Sequence, residues 1–210
     1  MTNREPHDAP PPSGAGKEEF RRWARRMRRP GIPESQAVAT VDGIVEWFAG
    51  AGLPVGSVVI YLPLPDEIDV TPVRDRVRRT FAVTRTPPSG PLTLHSVDAP
   101  REQHRFGFEQ PVATAPSVDP ATVAVVLTPG LAFGPDGERL GRGGGYYDRF
   151  LLTVPDSAAR VGVTVAALVV DGVPTDSFDV PMTHLATETG VRPVGPSLGR
   201  SDHVVSTMAT

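Results

Sequence analysis

The sequence predicts an α/β fold, one domain built on a mostly parallel sheet with helices layered against it. Three observations predict it. Runs that are apolar almost throughout, "SVVIYL" (57–62), "TVAVVLT" (122–128) and "RVGVTVAALVV" (160–170), read as strands buried on both faces. Segments with helical periodicity alternate with them, which is the pattern of strand–helix–strand units. The 210 residues, 39 % of them apolar, suffice for one real core and contain no internal repeat.

Taken in order, residues 1–16 are rich in Pro, Gly and Ala without periodicity and read as a disordered tail. "KEEFRRWARRMRR" (17–29) is helical. Phe20, Trp23, Ala24 and Met27 form one apolar stripe, the first-turn acids and later arginines suit the helix dipole, and "RPGIP" stops it. "ESQAVATVDGIVEWFAGAG" is a second helix, with Ala37, Val41, Ile44, Val45 and Phe48 on one face. After the strand at 57–62, a helix is expected within "VTPVRDRVRRT" and strands in "TFAVTR" and "PLTLHSV". The strongest buried strand is 122–128. A glycine-rich loop follows it, then a helix over 146–153 that ends before Pro155, the strand at 160–170, and a last short strand in "THLATET". The ordered domain is expected over 17–194, with a loose tail over 195–210.

The loop "GERLGRGGGYYDRFL" (137–151) carries the chemistry. Ligands of open α/β sheets sit at the carboxyl ends of strands, beside helix N-termini that attract phosphate. Gly141, Gly143, Gly144 and Gly145 let backbone approach an anion and permit positive φ. Arg139 and Arg142 offer forks that match phosphate oxygens, and Asp148 is a hard oxygen ligand for Mg²⁺. Together they suit a nucleoside triphosphate with its metal. No Lys-Ser or Lys-Thr completes a Walker loop, and Tyr146 stands where a dinucleotide loop has its third glycine.

Composition excludes other chemistries. There is no cysteine, hence no disulfide, thiolate nucleophile or cysteine zinc site. Among His7, His95, His104, His184 and His203 no two are four apart, so a helical metal pair is absent. The net charge of -3 argues against a nucleic-acid partner, even for the arginine-rich helix. No apolar run is long enough for a membrane span and the N-terminus lacks a signal-peptide core, so a cytoplasmic protein without a membrane partner is expected.

"TPGLAFGPDGERLGRGGGYYDRFL" resembles the signature of the 5-formyltetrahydrofolate cyclo-ligase family: a strand, Pro-Gly-Leu-x-Phe, a short hairpin, then Arg-Leu-Gly-x-Gly-x-Gly-Tyr-Tyr-Asp. Weaker matches flank it in order, in "YLPLPDEID", "VTR", "FGFEQP" and "VGVTVAALVVDGVPTDSFD", so the resemblance covers about 17–190. It implies a three-layer α/β/α sandwich and a small-molecule ligase of one-carbon metabolism. That enzyme uses MgATP to turn 5-formyltetrahydrofolate into 5,10-methenyltetrahydrofolate by phosphorylating the formyl oxygen. It also implies roles. Lys17 and Arg21 reach the ATP phosphates, with Arg139, Leu140, Gly141, Arg142, Gly143, Gly144, Gly145, Tyr146 and Tyr147 completing the ATP site. Leu62, Glu67 and Tyr147 contact the folate, Asp148 and Asp179 hold the metal, and Arg142 and Tyr146 act in catalysis. A monomer is expected. Val70, Thr84, Leu168 and Phe178 depart from the family pattern, and the alternative they leave open is a divergent relative with altered substrate or without turnover.

Overall fold

The computed structural model describes residues 9–195 apart from Phe106. The expectations for 1–8 and 196–210, with His7 and His203, fall outside those residues. An eight-stranded sheet runs through the molecule in the order β12-β11-β10-β7-β1-β2-β3-β6. Its centre is parallel: β2 (Phe81–Arg85), β1 (Ser57–Ile60), β7 (Val123–Pro129), β10 (Ala159–Val163) and β11 (His184–Thr187). The edges are antiparallel, with β12 (Gly190–Pro193) on one side and β3 (Thr93–Ser96) and β6 (Ser117–Val118) on the other. Two ribbons stand apart, β4 (Arg101–Gln103) with β5 (Glu109–Pro111), and β8 (Ala132–Phe133) with β9 (Arg139–Leu140).

Alternation along the strands sorts the core into two layers. Val58, Ile60, Phe81, Val83, Leu127 and Val161 face one side, where α1 (Lys17–Arg28) and α2 (Glu34–Gly50) bury Phe20, Trp23, Ala24, Val41 and Ile44. Val59, Ala82, Val126 and Leu185 face the other, against Phe150 and Leu151 of α4 (Tyr146–Leu151). Helices thus cover both faces of the sheet, the three-layer sandwich expected of the sequence.

Several elements are shorter than the sequence predicts. The helix expected in 70–80 is one turn, α3 (Val73–Arg76), because Val77 is already extended and four residues lie below a stable helical nucleus. The strand at 57–62 ends at Ile60, which frees Tyr61 and Leu62 to line a loop. The strand at 160–170 ends at Val163, and its continuation turns through a 3-10 helix at Ala166–Leu168. The helix after the glycine loop has only six residues, so its dipole adds little to anion binding. Residues 9–16 hold no helix or strand, though Ala15 packs against the core.

The connection after β1 leads to β2 on one side of it, while β7 lies on the other side. The short helices that follow pack on opposite faces, α3 in the α1 layer and α4 in the other. The loops at the carboxyl ends of β1 and β7 therefore diverge and leave a crevice between them, where ligands of open α/β sheets bind.

Candidate functional site

A cavity of about 720 Å³ opens at that crevice, a size that holds a drug-sized ligand. Its walls come from the loop after β1 (Tyr61, Leu62, Leu64, Glu67), the end of β2 (Thr84, Thr86), the turn after β7 (Pro129, Gly130), the stretch 139–148, the start of α1 (Lys17, Arg21), and Leu92, Phe108, Asp176 and Asp179. Every candidate residue named from the sequence lines this one cavity, although they span 17 to 179 in the chain.

The glycine loop follows β9 and ends at the first turn of α4. Gly143 (φ 107°) and Gly145 (φ 62°) occupy left-handed conformations that a side chain rarely adopts, and Gly145 starts α4. Gly141 and Gly144 do not have positive φ; they are short of space instead. A methyl group on Gly144 would meet the Tyr146 ring at 2.8 Å, and one on Gly141 would meet Arg139 Nη1 at 3.0 Å.

Each cation of the cavity is matched by an acceptor. Arg139 is buried and donates from Nη2 to Asp148 Oδ1 (2.6 Å), with its guanidinium 5.6 Å from the Tyr147 ring centre. Arg142 reaches 75 residues back to donate from Nε to Glu67 Oε1 (3.2 Å), and pairs with Asp66 as well. Lys17 donates to Asp176 (2.7 Å) and to Asp179, which in turn accepts from the Asp176 N–H (2.7 Å). Arg21 donates from Nε to the Gly141 carbonyl (3.1 Å), seating α1 on the loop.

The pairing has electrostatic consequences. Burial alone would lower the Lys17 pKa, but the hydrogen bonds and charges of Asp176 and Asp179 outweigh it and hold the ammonium above its ordinary value. Loss of hydration raises the Tyr61 phenol well above its ordinary value; the phenol donates to the Ile68 carbonyl (2.8 Å). Burial raises the Tyr147 phenol too, opposed by a hydrogen bond with Thr84 and by the Arg139 charge. At neutral pH both tyrosines are proton-bearing hydrogen-bond donors.

The expected metal pair is not preformed. Asp148 is held by Arg139 and Asp179 by Lys17, and among the described residues no group of three or more carboxylates or imidazoles is gathered for a metal. Two carboxylates in one cavity are still a suitable donor set for Mg²⁺, which takes one or two protein carboxylates and completes its shell with phosphate and water. Arg139 Nε is a buried N–H with no acceptor among the described residues, as a site awaiting an anionic oxygen would have. Among the described residues no imidazole lines the cavity, so their arrangement can bind, neutralise and orient, but offers no nucleophile–base dyad.

Sequence reasoning missed three contributors. Asp66 and Asp176 look like solvated turn acids, but they partner Arg142 and Lys17. Arg28, one of the later arginines of α1 that the sequence gives only a role toward the helix dipole, is 4 % exposed. His184, to which the sequence assigns no partner, packs on Trp47 with ring centres 5.1 Å apart and shares a hydrogen bond with Thr183 (2.9 Å). Of the departures from the family pattern, Val70 and Leu168 are core residues and Phe178 is 80 % exposed; none of the three lines the cavity. Thr84 does. Among the described residues no helix is long and apolar enough to cross a membrane.

Comparison with known proteins identifies the family and the fold. The sequence pattern of the 5-formyltetrahydrofolate cyclo-ligase family matches residues 54–188, from before β1 to the end of β11. A 5-formyltetrahydrofolate cyclo-ligase of Mycolicibacterium smegmatis is 28 % identical over 176 residues, covering 79 % of this chain and 91 % of that protein. One of Haemophilus influenzae is 37 % identical over 87 residues, 40 % of this chain and 46 % of that one. The solved 5,10-methenyltetrahydrofolate synthetase of Aquifex aeolicus superposes with a TM-score of 0.69 at 27 % identity, over 90 % of this chain and 98 % of that one.

Proposed function

The chain belongs to the 5-formyltetrahydrofolate cyclo-ligase family, and from that premise we propose that it uses ATP and Mg²⁺ to close 5-formyltetrahydrofolate into 5,10-methenyltetrahydrofolate, releasing ADP and phosphate. One observation carries the reading. The arginine–glycine loop, the Lys17/Arg21 face of α1 and the Leu62–Glu67 loop meet in a single cavity lined both by paired charges and by apolar side chains. In our reading the charged lining takes a triphosphate and the apolar lining a flat reduced pterin with its aryl amide.

In this reading the formyl oxygen attacks the γ-phosphorus and ADP leaves. N10 then adds to the formyl carbon, loses its proton, and the carbon–oxygen bond breaks, so phosphate departs with the former formyl oxygen. Such a transfer needs positioning and charge stabilisation rather than a protein nucleophile, which suits a cavity without one. Arg142 exchanges Glu67 for γ-phosphate oxygens, and Tyr146, which lines the same cavity, acts with it in catalysis. Lys17, Arg21 and Arg139 hold the phosphate chain, over the amides of 140–145. Leu62, Glu67 and Tyr147 hold the folate. Asp148 and Asp179 are the residues to hold Mg²⁺, which supplies charge neutralisation at the transferring phosphoryl group. We read the protein as a cytoplasmic monomer acting on these two small molecules.

A direct assay tests this. With 5-formyltetrahydrofolate and Mg²⁺, the near-ultraviolet band of methenyltetrahydrofolate should grow only when ATP is present. Absence of growth, with MgATP still bound by calorimetry, would leave a nucleotide-binding relative with another substrate and direct attention to Thr84.

A further inference from the structure

Arg28 has no part in the chemistry above, yet it is the most buried arginine of α1. Its side chain lies 11 residues after Lys17 and seven after Arg21, three and two helical turns on, and so on the same face of the helix. Lys17 and Arg21 line the cavity, whereas Arg28 bonds to the backbone of the loops around it. Nη1 donates to the Asp66 carbonyl (2.7 Å), Nε to the Leu131 carbonyl (3.2 Å), and Nη2 to the Gly130 carbonyl.

These acceptors belong to the two loops that diverge at the crevice, one after β1 and one after β7. Among the described residues no side-chain carboxylate hydrogen-bonds the guanidinium, and burial lowers its pKa against the opposing charges of Asp66 and Glu67. A surface ion pair is therefore not its purpose. A planar fork with donors in fixed directions can join three carbonyls of two loops, which a lysine ammonium cannot do in the same plane. The strap also reaches the reacting groups by short paths. Asp66 adjoins Glu67, and the Leu131 N–H donates to the Leu140 carbonyl (2.7 Å), one residue before Gly141.

We infer that Arg28 is a positioning residue that sets the register between the folate loop and the phosphate loop, so that two substrates gripped by different loops meet at reacting distance. The inference rests on the two-substrate reading above. It predicts an effect that mere structural support would not produce: each half-site keeps its grip on its own ligand while the reaction between the ligands fails. A misplacement of about 1 Å between reacting groups costs on the order of 100-fold in rate.

The test compares R28A and R28K with wild type. In R28A, kcat should fall about 100-fold while the Kd values for MgATP and for 5-formyltetrahydrofolate, each measured alone by calorimetry, stay within about threefold. Millimolar guanidinium should raise kcat of R28A but not of wild type, and methylammonium should leave both unchanged. R28K, which preserves charge and helix, should remain slow, and it carries the test if R28A does not fold. Wild-type kcat in R28K, or a parallel loss of both binding constants in a folded variant, would overturn the inference. Amide exchange separates it from the cyclo-ligase reading. If wild type turns over no formyl-folate, that reading fails by itself. Faster exchange at the Glu67 and Leu131 amides in R28K would still sustain the strap, and unchanged exchange would remove it.

Discussion

The charged and the apolar linings of the cavity are built on opposite principles. The charged lining, where we propose the phosphates bind, is a set of pairs: Arg139 with Asp148, Lys17 with Asp176 and Asp179, and Arg142 with Asp66 and Glu67. The apolar lining, where we propose the folate binds, is Leu62, Leu64, Leu92 and Phe108. An apolar wall needs no partner and waits ready-made. Among these cations Arg139 is buried and would cost several kcal/mol if left without a partner, and Asp148 supplies one. The difference teaches that ligands at the charged lining act by exchanging partners and those at the apolar lining by filling space.

Asp148 gives the largest expected break in that contrast. D148N removes the charge opposite the buried Arg139 guanidinium but keeps an oxygen acceptor, so it should lose about 1–3 kcal/mol of stability and also require more Mg²⁺. Denaturant titration and a magnesium titration of the rate read the two effects. An unchanged magnesium dependence would remove Asp148 from the metal set. R142A should leave circular dichroism intact and lower kcat on the order of 100-fold, the scale of losing one transition-state donor; wild-type steady-state kinetics would refute its assignment. E67Q trades a charged acceptor for a neutral one, so the KM for the folate should rise roughly tenfold with the KM for ATP little changed. L64A, in the apolar lining, should weaken the folate alone by about 1–2 kcal/mol, read as KM at saturating ATP.

The smallest expected effect is on pH. Tyr61 titrates higher in the folded than in the unfolded chain, where its value is near 10.0. Its contribution is therefore complete below that pH and is lost as pH rises above it. Y61F should show a shallower alkaline loss of denaturation midpoint than wild type.

Much of the site was legible in the sequence where chemistry and spacing are local. The 139–148 motif could be read letter by letter, and the buried strands announced the sheet that aims it. What could not be read was pairing at a distance. Nothing in "PDEID" says that Glu67 meets Arg142, or in "PTDSFD" that Asp179 meets Lys17, 162 residues away. Arg28 was hidden for a different reason. In a helix with an apolar stripe, an arginine beside the stripe reads as solvated, and only the convergence of three loop carbonyls reveals otherwise. The short edge elements, β4, β5, β6 and β12, have two to four residues each, too few for periodicity to register. α3 is a helix where the sequence expects one but a single turn long, held by the packing of Val73 rather than by its own length.

The central claim is that one cavity brings the γ-phosphate of ATP to the formyl oxygen. It is tested most directly by an isotope. With 5-formyltetrahydrofolate labelled with ¹⁸O in the formyl group, the released inorganic phosphate should carry the label, as mass spectrometry would detect. Unlabelled phosphate alongside methenyltetrahydrofolate would mean that the oxygen leaves by another route, and the charged lining of the cavity would then need a different role.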